Sequence, residues 1–217
     1  TNIVTMAVDF LSNPDLGKYD ISSLVTIGGG GAAMPQAVAK KLKDLTGLDY
    51  IEGYGLSETM AATHINPPNA PKAQCLGIPV FDVDSRIIDV DTLEEKGPGE
   101  VGEIVSNGYQ VTVGYWNRPA ETEAAFVEID GKKFFRTGDL AYYDEDGYFF
   151  MVDRVKRMIN ASGFKVWPSE VESMMYQHPS IHEVCIISAP HEKRGETVKA
   201  VVVLTPEAEG STTEEDI

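Results

Sequence analysis

Residues 24–53, LVTIGGGGAAMPQAVAKKLKDLTGLDYIEG, decide the fold. The apolar run 24–27 predicts a short buried strand that glycines 28–31 end in a flexible loop. Pro35 and the apolar spacing of 36–45 predict a helix, since proline favours a helix start. After Gly47, residues 48–53 predict a second strand. Its continuation, YGLSET (54–59), places Tyr54, Ser57 and Glu58 beyond the strand end, where open α/β sheets hold ligands. Upstream, residues 3–11 have helical spacing, which Ser12, Asn13, Pro14 and Gly17 interrupt. Downstream of Gly77 the texture changes to short strands with turns: FDVDSRIIDVD, GEIVSNG, and a hairpin around Asp146-Gly147. A second change comes near Arg154. Beyond it Pro168-Ser169-Glu170 opens a helix, followed by the strands VCIISA and VKAVVVLT. The fold class expected is α/β with a β-rich, barrel-like subdomain, then a small α+β domain that is incomplete. Residues 1–153 form the larger domain (α/β piece 1–76, β-rich subdomain 77–153), and 154–217 the hinge and small domain.

Composition narrows the functions. The 217 residues are 42% hydrophobic with a formal net charge of −16, a globular chain whose surface repels nucleic acid. A nucleotide held in a cleft remains compatible with that charge, because backbone N–H groups and Mg2+ neutralise phosphates locally. Cys75 and Cys185 stand far apart without a CxxC or Cys/His cluster, which argues against a disulfide framework or zinc site and fits a reducing cytoplasm. No apolar run approaches the roughly 18 residues of a membrane-spanning helix.

Three segments carry candidate chemistry. GGGGAAMP (28–35) reads as a strand-to-helix turn or as a backbone that lets a flat ligand or phosphate approach closely. It fits neither the Walker nor the dinucleotide-binding spacing. EGYGLSET (52–59) combines an aromatic, a hydroxyl and a carboxylate that could stack a base, hold a phosphate oxygen and ligate Mg2+. Taken alone, it reads equally as a polar loop with Glu58 solvated. In FRTGDLAYYDEDGYFFMVDR (135–154), Asp139 and Arg154 stand fifteen residues apart across a tight hairpin, so a carboxylate and a guanidinium could converge on one sugar.

The joint order of six segments resolves these alternatives. GGGGAAMP, GYGLSET, GEIVSNGYQVTVGYWNRPAET, FRTGDLAYYDEDGYF, DRVKRMINASGFKVWPSEVE and HPSIHEVCIISAP follow one another over nearly the whole chain. Together they resemble the adenylate-forming superfamily of acyl-CoA synthetases, peptide-synthetase adenylation domains and luciferases. The resemblance implies that Gly31, Ala32 and Ala33 lie along the adenine of ATP, that Tyr54 stacks on it, and that Met151 packs near the base. It implies that Ser57 faces the phosphate and Glu58 the Mg2+, the two catalytic positions, while Asp139 holds the ribose hydroxyls with help from Arg154. Lys156 takes the hinge position, and Gly163 the loop lining the pantetheine channel of CoA. Lys165 reads either as a solvated side chain or as part of that loop. His178, His182 and His191 read as surface or capping residues, and Trp116 and Trp167 as packing anchors.

Within the superfamily the texture most resembles bacterial long-chain fatty acid CoA ligases. Medium-chain and aromatic acids are rival substrates, and a carrier-loading adenylation domain or a catalytically dead nucleotide-binding module remain as other classes. The family's Ser/Thr/Gly-rich phosphate loop and its late catalytic lysine do not occur in this sequence. The expectation is therefore a fragment of a longer parent, inactive in ATP–pyrophosphate exchange by itself. Acyl chain length and oligomeric state stay open at this point.

Overall fold

A computed structural model describes residues 3–31, 34–191, 193–210, 212–213 and 216–217. The chain packs as two compact units, Thr1–Thr137 with Ala141–Met151, and Gly138–Leu140 with Val152–Ile217.

The first unit begins with α1 (Val4–Ser12), β1 (Ile27–Gly30), α2 (Gln36–Thr46) and β2 (Tyr50–Tyr54). Pro35 sits at the N-cap of α2, and Gly47 ends the helix in the left-handed conformation (φ 73°) that favours glycine. Ala7, Met34 and Leu42 are buried together and bring α1 onto α2. β1 and β2 pair in parallel, Ile27 opposite Tyr50 and Gly30 opposite Gly53. The short strands β3 (His64–Ile65) and β4 (Ile78–Pro79) complete a sheet of order β1-β2-β3-β4.

Here the structure corrects the sequence reading. The expected strand 24–27 begins only at Ile27, with Val25 85% exposed, and Gly28–Gly30 are themselves the strand rather than a loop. The reason is steric: a Cβ on Gly28 would stand 2.4 Å from the Ile51 carbonyl oxygen, and one on Gly30 2.3 Å from that of Gly53. Glycine is what permits β1 to lie this close to β2.

The β-rich part contains β5 (Asp84–Ile88), β6 (Gly102–Asn107), α3 (Pro119–Ala124), β7 (Phe126–Ile129), β8 (Lys132–Tyr143) and β9 (Phe149–Arg154). They form a five-stranded sheet of order β5-β6-β8-β7, with β9 also on β8. Alternation gives it two apolar faces. Ile87 and Ile104 bury against Ala141 and Phe149, whereas the next residues, Ile88 and Val105, bury against Phe134. Helix α3 and strand β7 are additions to the sequence reading. Their signal is Asp130-Gly131, whose positive φ angles (51° and 73°) make the two-residue turn of the β7–β8 hairpin.

The second unit adds β10 (Ile159–Ala161), β11 (Phe164–Val166), α4 (Pro168–Met175), β12 (Ile181–His191) and β13 (Gly195–Leu204), in sheet order β11-β10-β13-β12. Ile159, Ile181, Val184 and Ile186 are its buried core, with Val171 and Met175 of α4 packed on them. The stretch 154–166, polar and mixed in sequence, is a 3-10 turn (Val155–Arg157) followed by the β10–β11 hairpin.

Candidate functional site

Because β1 and β2 are parallel, Gly30 and Tyr54 end at the same edge of the sheet, and the loops that follow them share it. Gly31 turns away in the left-handed region (φ 88°), and no atom lies near its would-be Cβ, so the demand for glycine there is conformational. Ala32 and Ala33, the other two positions expected along an adenine, lie outside the described residues. A cleft of about 710 Å3 opens beside this edge. Gly28–Gly31 form one wall, Gly55 and Leu56 another, and Ile3, Met6, Met60 and Ile65 make it apolar. Buried Glu52 also reaches it, and burial raises that carboxyl's pKa against the opposing pull of a hydrogen bond from the Met34 backbone.

The loop carrying Ser57 and Glu58 is a single 3-10 turn, Ser57–Thr59, tied by one buried hydroxyl. Thr59 Oγ1 accepts from the Leu56 N–H (2.9 Å) and lies 2.8 Å from the Ala61 carbonyl. Ser57 is exposed at the turn's start. Glu58 is held at both ends: its carbonyl accepts from Thr112 N–H at 2.7 Å, and its Oε1 accepts from the Tyr115 hydroxyl at 2.9 Å. Burial first and the Glu58 carboxylate second raise the Tyr115 phenol's pKa, so at neutral pH Tyr115 is a donor. Half-buried Tyr54 packs against the core of Ile87, Ile104 and Phe149, its ring centroid 5.6 Å from that of His64.

Among the described residues no group of three or more His, Cys, Asp or Glu side chains could hold a metal ion unaided. One positioned carboxylate does fit Mg2+, which keeps most of its waters and shares itself between one or two carboxylates and nucleotide phosphates.

In the second unit, Asp139 is 2% exposed and forms an ion pair with Arg154 Nε at 3.0 Å, while the Arg154 side chain is itself exposed. The two residues fifteen apart in sequence thus meet. Met151, on β9, belongs to the first unit and is half-buried. Lys156 is exposed in the turn that follows β9. Gly163 (φ 88°) and Ser162 (φ 57°) make the β10–β11 turn, and Gly163 N–H donates to Asn160 Oδ1 at 2.9 Å. Lys165 stands opposite Asn160 in β11. Gly31, Tyr54, Ser57 and Glu58 are therefore brought to one edge of one unit, and Asp139 is brought to Arg154 in the other.

Residues 1–116 match the family model described as AMP-binding enzyme, and residues 170–217 match that of the AMP-binding enzyme C-terminal domain. The chain belongs to the AMP-binding enzyme family. Among curated AMP-binding enzymes, a long-chain-fatty-acid–CoA ligase of Bacillus subtilis is 42% identical over 98% of this chain and 37% of its own length. A luciferin 4-monooxygenase of Photinus pyralis is 37% identical over 93% of this chain and 36% of its own. The chain thus spans somewhat more than a third of these relatives. Among solved structures, ATP-bound MatB from Rhodopseudomonas palustris superposes with a TM-score of 0.80 at 30% identity, over 98% of this chain and 41% of that one. The O-succinylbenzoate coenzyme A synthetase of Bacillus subtilis, in complex with ATP and magnesium ion, gives 0.73 at 28% identity over 92% and 40%.

Four residues that hold these elements in place have no reading in the sequence: Thr59, His64 and Tyr115 in the first unit and Asp153 in the second. Asp153 is buried and accepts from the backbone N–H (2.9 Å) and hydroxyl (2.8 Å) of Ser169, pinning the start of α4 close to the Val155–Arg157 turn. Its signal was available, a carboxylate next to Arg154 and a Pro168-Ser169 helix start, but not its burial.

Proposed function

We propose that this protein activates a carboxylic acid, a long-chain fatty acid, with ATP to give acyl-AMP and pyrophosphate, and then transfers the acyl group to CoA. The observation that carries this reading is the apolar cleft walled by Gly28–Gly31 and bordered by the loop that presents Glu58. Its volume, about 710 Å3, lies within the roughly 300–1,000 Å3 of small-ligand sites, and its lining suits an alkyl chain. The 42% identity to a ligase of long-chain fatty acids supports the same choice.

In this mechanism Gly31, Ala32 and Ala33 lie along the adenine, the Tyr54 ring stacks on it, and Met151 packs near the base. Asp139 accepts the ribose hydroxyls, its charge held in place by Arg154. Ser57 donates to a phosphate oxygen, and Glu58 would hold Mg2+, which when bound would offset charge on the phosphates. The acid's carboxylate attacks the α-phosphorus of ATP, and pyrophosphate leaves. Lys156 is the pivot about which residues 154–217 reorient relative to 1–153, so that the Gly163 turn lines the path of the CoA pantetheine in the second half-reaction. We place the protein in the cytoplasm. The described cysteines are both free thiols, and none of the described helices is long and apolar enough to cross a membrane.

The test is ATP–pyrophosphate exchange by the protein expressed from its complete gene, with straight-chain acids of increasing length, followed by thioester formation with and without CoA. Exchange should peak with long-chain acids, and thioester should require CoA. Exchange driven by aromatic or amino acids alone would overturn the substrate assignment.

A further inference from the structure

We propose that Tyr115 is the positioning residue of Glu58, fixing which carboxylate oxygen faces the cation. The proposal rests on the reading of Glu58 as the Mg2+ ligand. Glu58 lies half-buried on a turn only three residues long, where a carboxylate left to itself would sample several rotamers, and ordering such a side chain carries an entropic cost. The segment 112–115 removes that freedom from two directions, with Thr112 N–H on the Glu58 carbonyl (2.7 Å) and the Tyr115 hydroxyl on Oε1 (2.9 Å). With Oε1 engaged by the phenol, Oε2 is the oxygen presented to a cation.

The clasp is itself anchored, which distinguishes it from a chance surface contact. Tyr115 N–H donates to Thr122 Oγ1 of α3 at 2.8 Å, and Thr112 Oγ1 accepts from Gly114 N–H at 3.3 Å. Gly114 adopts a positive φ (148°), and a Cβ there would fall 2.4 Å from Thr122 Cγ2. The glycine lets the loop press onto α3, α3 fixes Tyr115, and Tyr115 fixes Glu58. Single-oxygen ligation suits Mg2+, whose small octahedral shell is completed by water and phosphate.

The experiment uses the protein from its complete gene, with Tyr115→Phe, Glu58→Gln and the double variant. Mn2+ binding in the presence of a non-hydrolysable ATP analogue is read from the electron paramagnetic resonance of free Mn2+, and half-saturating Mg2+ from exchange kinetics. Tyr115→Phe should weaken Mn2+ binding about fivefold, the factor that one ordinary hydrogen bond supports. It should raise half-saturating Mg2+ in parallel, without lowering the melting temperature. In the Glu58→Gln background it should add nothing. If Glu58→Gln weakens Mn2+ binding and Tyr115→Phe leaves it unchanged, or if the effect of Tyr115→Phe persists undiminished in the double variant, the positioning role is overturned. If Glu58→Gln itself leaves Mn2+ binding unchanged, the ligand assignment on which it rests fails first.

Discussion

His64 makes the stability of the first unit sensitive to acid, by an amount the structure allows to be worked out. Its ring is 0% exposed, packed 4.6 Å from the Phe149 ring and 5.6 Å from Tyr54. Nδ1 lies 3.0 Å from Thr63 Oγ1, and Nε2 has no hydrogen-bond partner among the described residues. Burial pushes its pKa down from 6.5 to about 3. The folded protein therefore keeps His64 neutral where the unfolded chain takes up a proton. A depressed folded pKa means that the contribution is intact above the unfolded value and is lost as pH falls below 6.5, levelling off near 3. At about pH 5, roughly 1.5 below the unfolded pKa, the loss is about 2 kcal/mol, at about 1.4 kcal/mol per pH unit. The control is His64→Leu, which removes both the titrating group and the unpaired nitrogen. Urea unfolding followed by circular dichroism, from about pH 8 to about pH 5, should show the variant within about 1 kcal/mol of the parent at the alkaline end. The variant should gain about 2 kcal/mol on the parent as pH falls. Because the comparison subtracts every other titrating group, a gap that stays constant across that range would refute the reasoning.

Other outcomes follow from close contacts. Gly30→Ala drives a Cβ to 2.3 Å from the Gly53 carbonyl oxygen and should lower stability by about 2 kcal/mol, with hydrogen exchange accelerating in β1 and β2 first. Glu103 is buried, with Arg136 Nε at 2.9 Å and Nη2 at 2.5 Å. Arg136→Met leaves that carboxylate without its cation and should cost about 3 kcal/mol in urea unfolding, the low end for a buried pair because Arg136 is partly exposed. Asp139→Ala should weaken ATP binding by roughly tenfold or more in calorimetry of the complete protein, as expected for hydrogen bonds to a charged acceptor. Unchanged affinity would remove Asp139 from the ribose.

How much of the fold the sequence discloses depends on whether side chains or backbone geometry do the specifying. Helices α2 and α4 are legible because Pro35, Gly47 and Pro168 mark their ends, and β12 and β13 because VCII and VVVL are unbroken apolar runs. Strand β1 is hidden in the sequence because its determinant is the absence of side chains. Three glycines carry no hydrophobic period, so the apolar neighbours 24–27 give the stronger strand signal, and only the 2.3–2.4 Å approaches to β2 reveal the reason. Helix α3 and strand β7 carry little signal because PAETEA is short and acidic and FVEI is only four residues long.

The candidate site divides along the same line. Glu58, Asp139 and Arg154 announce themselves by residue type, and the hairpin that brings Asp139 to Arg154 has a local signal in Asp146-Gly147. Tyr115 has none, since it meets Glu58 across 57 residues of chain, through a loop whose shape depends on Gly114 fitting under Thr122. Thr59, His64 and Asp153 are ordinary polar letters in sequence and become determinants only through burial, which tertiary packing alone supplies. Residue type therefore marks the groups proposed to touch a ligand, whereas the groups that fix their geometry are disclosed by structure. The first set is read from charge, and the second from which polar atoms have been removed from water and what they then hold.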